Sequence, residues 1–213
     1  MDAVKTIHNE MLGKAACEAL RKNFFDARFV SSAAEALEIV ASFVKPGMKV
    51  GFGGSTTIQG LGAGNRAKAL GAELLDHNAP GLTEEQKNEL RRAQLTCDLF
   101  LSSSNAVTLD GELVNIDGTG NRIAALTFGP RKTVVVVGVN KIVRDLDEAW
   151  VRLETTAAPL NNLRMKRPNP CAKSGICSDC GGETRICRVY HVLKRRPTQS
   201  DFTVVVVGEE LGF

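Results

Sequence analysis

Short, uninterrupted apolar runs recur along the chain, separated by longer stretches in which apolar residues return every three or four positions. The runs are Ala27 to Val30, Met48 to Phe52, Ala72 to Leu75, Asp98 to Leu101, Thr133 to Val137 and Thr203 to Val207. They lack polar alternation, as strands covered on both faces do. Helical spacing runs through Val4, Ile7, Met11, Ala15 and Ala19 within residues 3 to 22, and through Ala34, Leu37, Val40 and Val44 within Ser31 to Val44. Both stretches are expected to turn those residues toward a core. Further helices are expected over Thr57 to Leu70, Thr83 to Gln94, Gly120 to Phe128 and Asp145 to Leu153. Strands alternating with helices predict an α/β fold whose mostly parallel sheet carries helices on both faces.

Val107 to Ile116 breaks that alternation, because Asp110-Gly111 stands between two β-prone runs. Such a pair is a strong hairpin signal, so an antiparallel β-hairpin insertion is expected there. From about Ala158 to Pro197 the chain is rich in Pro, Asn, Arg and Cys and has no clean period, so it forms an ordered loop only if something ties it down. The expected organisation is an α/β domain over 1–157, a Cys-rich metal-binding segment over 158–197, and a final strand within 198–213 that returns to the domain. There is no internal repeat and no low-complexity tract.

Composition changes this picture little. A chain of 213 residues with 43% hydrophobic and 24% charged residues is ordinary for a globular protein with a substantial core. No apolar run approaches the roughly 20 residues of a membrane span, and no secretory leader is visible; a cytoplasmic protein without membrane contact is expected. Four of the six cysteines fall in one short segment, which reads as a ligand set in a reducing compartment more than as a disulfide framework. Cys17 and Cys97 read as core residues. Charge is uneven: Arg164 to Arg196 holds nine basic and two acidic residues, a local balance of +7 in a chain whose total is +3. The cysteine segment is therefore the basic part of the molecule.

Three groups of residues carry candidate chemistry. The strand ending at Phe52 runs into Gly53, Gly54, Ser55 and Thr56 and then a helix, an arrangement whose backbone N–H groups suit phosphate or carboxylate. It matches neither a Walker loop nor a dinucleotide fingerprint, and a tight turn with a Ser/Thr cap accounts for the same residues equally well. A second loop, Asp117-Gly118-Thr119-Gly120-Asn121-Arg122, also opens a helix. Arg122 is suited to bind an anion through two hydrogen bonds, with Asp117 and Glu112 available as acid, base or nucleophile. A solvated hairpin position explains Glu112 as readily. The third group is Cys171, Cys177, Cys180 and Cys187, four thiols that satisfy either tetrahedral zinc or a [4Fe–4S] cluster. Only Cys177 and Cys180 form a short knuckle, and this irregular spacing favours iron–sulfur over zinc; free thiols or an oxidation-sensitive disulfide stay open. His8, His77 and His191 invite less.

The runs GFGGSTTIQGLG (51 to 62), CDLFLSSSNAVTLDGELVNIDGTGNRIAAL (97 to 126), VVVVGVNKIVRDLDEAWVR (134 to 152) and VVVVGEELGF (204 to 213) resemble the lactate-utilisation, or LUD, domain family over nearly the whole chain. That family is linked to the fold of ribose-5-phosphate isomerase, glucosamine-6-phosphate isomerase, CoA transferases and regulatory translation-initiation subunits. The resemblance implies a Rossmann-like sheet with the Gly-Ser-Thr loop facing an active-site cleft and the DGELVNIDGTGNR region on its other wall. By the same analogy Glu112 and Asp117 are the candidate catalytic residues. Gly53, Gly54, Ser55, Thr56, Gly118, Thr119, Gly120, Asn121 and Arg122 are the candidate anion binders.

Three functions follow as alternatives. One is a redox-linked protein of lactate or hydroxy-acid utilisation, with a [4Fe–4S] cluster near a small anionic ligand and a redox partner protein. Another is an isomerase or acyl-transfer enzyme acting on a sugar phosphate or CoA ester, with zinc in a structural role. The third is a ligand sensor without catalysis. Nucleic acid is disfavoured, because few aromatics accompany the basic residues, and a homodimer is the default assembly.

Overall fold

The structure, a computed structural model, describes residues 3 to 213. Helix α1 (Ala3–Lys22) leads into β1 (Asp26–Val30), α2 (Ala33–Ser42) and β2 (Lys49–Phe52). Two short helices, α3 (Thr56–Gly60) and α4 (Ala63–Ala69), precede β3 (Glu73–Leu75), and α5 (Glu84–Ala93) precedes β4 (Leu99–Ser102). There follow β5 (Ala106–Thr108), β6 (Leu113–Asp117), α6 (Asn121–Thr127), β7 (Lys132–Gly138), β8 (Ile142–Val143) and α7 (Leu146–Arg152). The chain ends through α8 (Ala158–Arg164), α9 (Cys171–Ser174), β9 (Val189–Leu193) and β10 (Asp201–Val207).

Each of the six apolar runs contributes one strand to a six-stranded sheet of order β1-β10-β7-β4-β2-β3, and every pairing is parallel. The valine runs explain themselves once the two-residue period of a strand is applied. Val135, Val137, Val204 and Val206 join Phe100 and Phe202 in the core on one face, while Val134, Val136, Val205 and Val207 join Leu99 and Leu101 on the other. Helices cover both faces, as a parallel sheet requires, and the fold is Rossmann-like.

The hairpin forms where Asp110-Gly111 predicts it, pairing Ala106 with Val114 and Val107 with Leu113. It does not extend the main sheet. It is the centre of a second, four-stranded sheet of order β8-β5-β6-β9, in which Ile116 faces Tyr190 and Asp117 faces Val189. The Cys-rich segment is thereby tied down at both ends, by α8 before it and β9 after it.

Three helix expectations change. In α1 the stripe of Val4, Ile7 and Met11 is exposed, and the buried face is Asn9, Gly13, Ala16, Cys17 and Leu20. Close approach decides this: a Cβ on Gly13 would stand 2.5 Å from the Phe29 ring, so small residues, not the larger apolar ones, face the sheet. The expected single helix over Thr57 to Leu70 is broken after Gly60, where the backbone turns left-handed at Gly62. Conversely, the helix expected to stop at Leu153 continues to Arg164 through a π-helical turn, Leu153–Ala157. That wide turn places Pro159 in the first turn of α8, where its missing N–H costs nothing.

Candidate functional site

The C-terminal ends of four parallel strands open onto one cleft of about 410 Å³, the usual ligand position in an open α/β sheet. After β2 come Gly53 to Thr56, after β3 His77 and Asn78, after β4 Ser103 to Asn105, and after β7 Lys141. The opposite wall is the Asp117 to Arg122 loop, and the mouth is rimmed by Arg164, Arg167, Arg185 and Arg188. The cleft wall thus carries more cationic than anionic side chains.

Lys141 is the most unusual group in this wall. It is 3% exposed, yet among the described residues its amine meets no carboxylate: Nζ donates to Thr57 Oγ1 at 2.9 Å and Ser103 Oγ at 3.0 Å. Burial, with Arg152 and Arg122 nearby, pushes its pKa down to about 7. Arg152 donates through Nε to the Asn140 carbonyl, and its buried Nη1 has no protein partner. Of these three cations only Arg122 faces a carboxylate, Asp117, at 3.6 Å. The wall is therefore short of negative charge, which a bound anion would supply.

His77 reaches the cleft beside Gly54, with Nε2 about where a Gly54 side chain would make contact, 3.9 Å from an added Cβ. Its other ring nitrogen is held by Gln94, which is 1% exposed. The Gln94 amide donates to the Leu75 carbonyl at 2.6 Å and to His77 Nδ1 at 2.9 Å. Exchanging its nitrogen and oxygen would set oxygen against oxygen at Leu75, so the orientation is determined although Oε1 is left without a partner. His77 Nδ1 must then accept, and the ring proton lies on Nε2, toward the cleft. Burial and the neighbouring Arg91 lower its pKa, in the direction that keeps the ring neutral. Gln94→Glu should reverse this by turning Nδ1 into a donor to a carboxylate. The His77 midpoint, followed by NMR titration of the ring C–H, is expected to rise by about 1–3 units; equal midpoints in the two proteins would refute the Gln94–His77 hydrogen bond.

The two glycine-rich loops face one another across this cleft, the arrangement that the family resemblance implies. Gly53 admits no side chain, because a Cβ would stand 2.6 Å from Ser102 Oγ and 3.0 Å from Arg122 Cγ. Ser55 both lines the cleft and caps α3, accepting from the Ile58 N–H at 3.3 Å. Thr56, Gly118, Thr119 and Asn121 line the cleft, while Gly120 turns left-handed at the start of α6 and is not among its lining residues. Asp117 is in the wall, but both its oxygens are occupied. Oδ1 accepts from the Thr119 and Gly120 N–H groups at 3.0 and 2.9 Å, and Oδ2 from that of Ile123 at 3.3 Å. Arg122 is equally committed, donating to Ser103 O, Asn115 Oδ1, Asn105 Oδ1 and Ile116 O. Glu112 lies elsewhere: at the far end of β6 its carboxylate accepts from Thr108 Oγ1 at 3.2 Å and pairs with Lys194 at 3.5 Å. The structure therefore does not bring Glu112 to the cleft with Asp117.

Lys141 and His77 are the cleft residues that sequence reasoning passes over. His77 has a positional signal, two residues beyond a strand that ends at the cleft, whereas Lys141 lies three residues beyond β7 at the end of a short turn and has none.

Cys187 lines the cleft, and Cys171, Cys177 and Cys180 precede it in the same segment. Cys171 is buried at the start of α9 and the other three are half-buried; no disulfide joins any of them. Cys177 Sγ accepts the Asp179 N–H at 3.3 Å, the kind of bond that stabilises a thiolate. Burial, then the neighbouring Cys177 thiol, pushes Cys187 up to about 11, with Cys171 and Cys180 also contributing. Among the described residues no three His, Cys, Asp or Glu side chains converge closely enough to hold a metal as they stand. Cys17 and Cys97 lie in the core, as expected, with thiols raised to about 11 by burial.

Fold and cleft together define a parallel α/β protein with a cation-rich site at the strand ends. The LUD domain family model matches residues 14–207, and the chain belongs to that family. Membership places it with proteins of lactate utilisation in general terms. Among solved structures it is similar to a DUF162 family protein from Deinococcus radiodurans, with a TM-score of 0.52 and 12% sequence identity, covering 93% of this chain and 98% of that one. At that identity the likeness supports the fold alone. No curated protein matches the sequence. Among the described residues no helix is long and apolar enough to cross a membrane.

Proposed function

We propose that this LUD domain protein binds a small hydroxy- or oxo-acid anion in the cleft, beside a [4Fe–4S] cluster held by Cys171, Cys177, Cys180 and Cys187. The observation that carries this reading is that Cys187 shares a cleft with Lys141 and Arg122, in a wall short of negative charge. The donor set suits the group: four soft thiols, one already accepting a backbone N–H, in the most basic part of the chain. When bound, such a cluster supplies one-electron transfer, and a separate redox partner protein passes those electrons on.

The chain's own residues have distinct roles. The Gly54 to Thr56 backbone receives the carboxylate, the buried Arg122 guanidinium supplies opposing charge, and His77 Nε2–H donates to the hydroxyl or carbonyl oxygen. Arg185 and Arg188 at the rim offset the negative charge of thiolate ligands. An isomerase or acyl-transfer reading draws less support, because Glu112 is outside the cleft and Asp117 already holds three backbone N–H groups.

Anaerobic reconstitution with iron and sulfide, followed by titration with lactate or pyruvate, tests the proposal. The expected result is a brown protein whose cluster spectrum shifts as the anion saturates the cleft. Colourless protein with stoichiometric zinc, or a cluster spectrum indifferent to saturating anion, would sink it.

A further inference from the structure

Hydrogen-bond directions around Lys141 say more than its burial does. Thr57 Oγ1 spends its own proton on the Leu211 carbonyl at 3.3 Å, and Ser103 Oγ spends its proton on the Ser104 carbonyl at 3.3 Å. Both hydroxyls can therefore only accept from Lys141. The two hydroxyls fix two positions around Nζ, so the remaining one, which carries the lone pair of a neutral amine, is left for the cleft. Lys141 lines the cleft, and among the described residues no carboxylate lies within ion-pairing distance to hold a third proton.

We propose that Lys141 is a nucleophilic amine that condenses with the carbonyl carbon of a small oxo-acid in this cleft, forming an imine. The proposal rests on the reading of the cleft as a small-carboxylate site and adds a covalent step to it. The lone pair attacks the carbonyl carbon, the C–N bond forms, and the carbonyl oxygen leaves as water with the two amine protons. No oxidant or reductant is consumed. The carboxylate of the same molecule is held by the Gly54 to Thr56 backbone, which leaves its carbonyl free to meet the amine. The depressed pKa agrees with this chemistry, since a neutral amine is available near neutral pH.

The test uses the full chain with pyruvate and sodium cyanoborohydride, which reduces an imine to a stable secondary amine, followed by intact mass and peptide mapping. One saturable adduct is expected, on Lys141. A free lysine amine, with a pKa near 10.4, is almost wholly protonated at pH 7, so Lys141 should react on the order of 10³-fold faster than an ordinary lysine. Lactate, which has no carbonyl, should protect Lys141 competitively and leave no adduct. Because the map is read on the unaltered protein, the test does not depend on a variant folding; Lys141→Met should abolish the adduct as confirmation. Calorimetric titration with pyruvate separates the two readings. Binding without trapping, or labelling of Lys141 no faster than of an ordinary lysine, overturns the imine and leaves the carboxylate site standing. Neither binding nor trapping overturns both.

Discussion

Replacing Lys141 with Met should make the protein more stable near pH 6, and the advantage should fade as the pH rises. Folded Lys141 titrates at about 7, whereas in the unfolded chain an ordinary lysine titrates near 10.4. Below the lower value both states carry the proton, and the folded state bears the full cost of an unpaired buried charge. Between the two values the unfolded chain holds a proton that the folded chain has lost. Wild-type stability therefore rises with pH there, by up to about 1.4 kcal/mol per unit, while the Met variant lacks this term. Replacing an unpaired buried charge with a well-packed side chain of similar length is expected to stabilise by about 1–4 kcal/mol on the acid side. Urea unfolding of both proteins at pH 6, 7.5 and 9 gives the difference directly, because titrations common to both cancel. A difference that does not change with pH would mean that Lys141 keeps its proton in the folded state.

This group was invisible in the sequence for a physical reason. A single lysine in a loop belongs to no period, and its environment is assembled from Thr57 and Ser103, 84 and 38 positions away. What local pattern does encode was legible. All six strands of the main sheet follow from apolar runs buried on both faces, and the hairpin follows from Asp110-Gly111. The second sheet was not legible, because β8 is only two residues long and β9 pairs with β6 across more than seventy positions. The glycine-rich loops announced a cleft, but not the roles of the residues within it. Asp117 and Arg122 looked like free chemical groups, yet one caps a helix and the other ties the walls together. Likewise, apolarity alone misplaced the buried face of α1, where the size of Gly13 and its small neighbours decided the contact.

Arg122→Leu should be the most destabilising single change in the cleft. One guanidinium joins two walls: the end of β4 through Ser103 O at 3.4 Å and Asn105 Oδ1 at 3.1 Å, and β6 through Asn115 Oδ1 at 2.5 Å and Ile116 O at 2.6 Å. It also faces Asp117, which organises the start of α6. Leucine leaves these acceptors without their donor and a buried carboxylate without its cation. Orphaned polar groups cost about 1–3 kcal/mol each, and losing one partner of a buried ion pair about 3–5 kcal/mol; the terms overlap, so a total near 3–5 kcal/mol is expected. Arg122→Lys keeps the charge but not the planar fork, and an ammonium cannot reach acceptors on two strands at once. It should recover less than half of the loss. Asp117→Asn keeps the oxygen that receives Thr119 and Gly120, so it should cost least of the three. Urea midpoints at pH 7 rank the variants. A lysine variant as stable as the wild type would show that charge alone joins the walls, whereas the predicted order identifies the fork as the part that holds the cleft open in one shape.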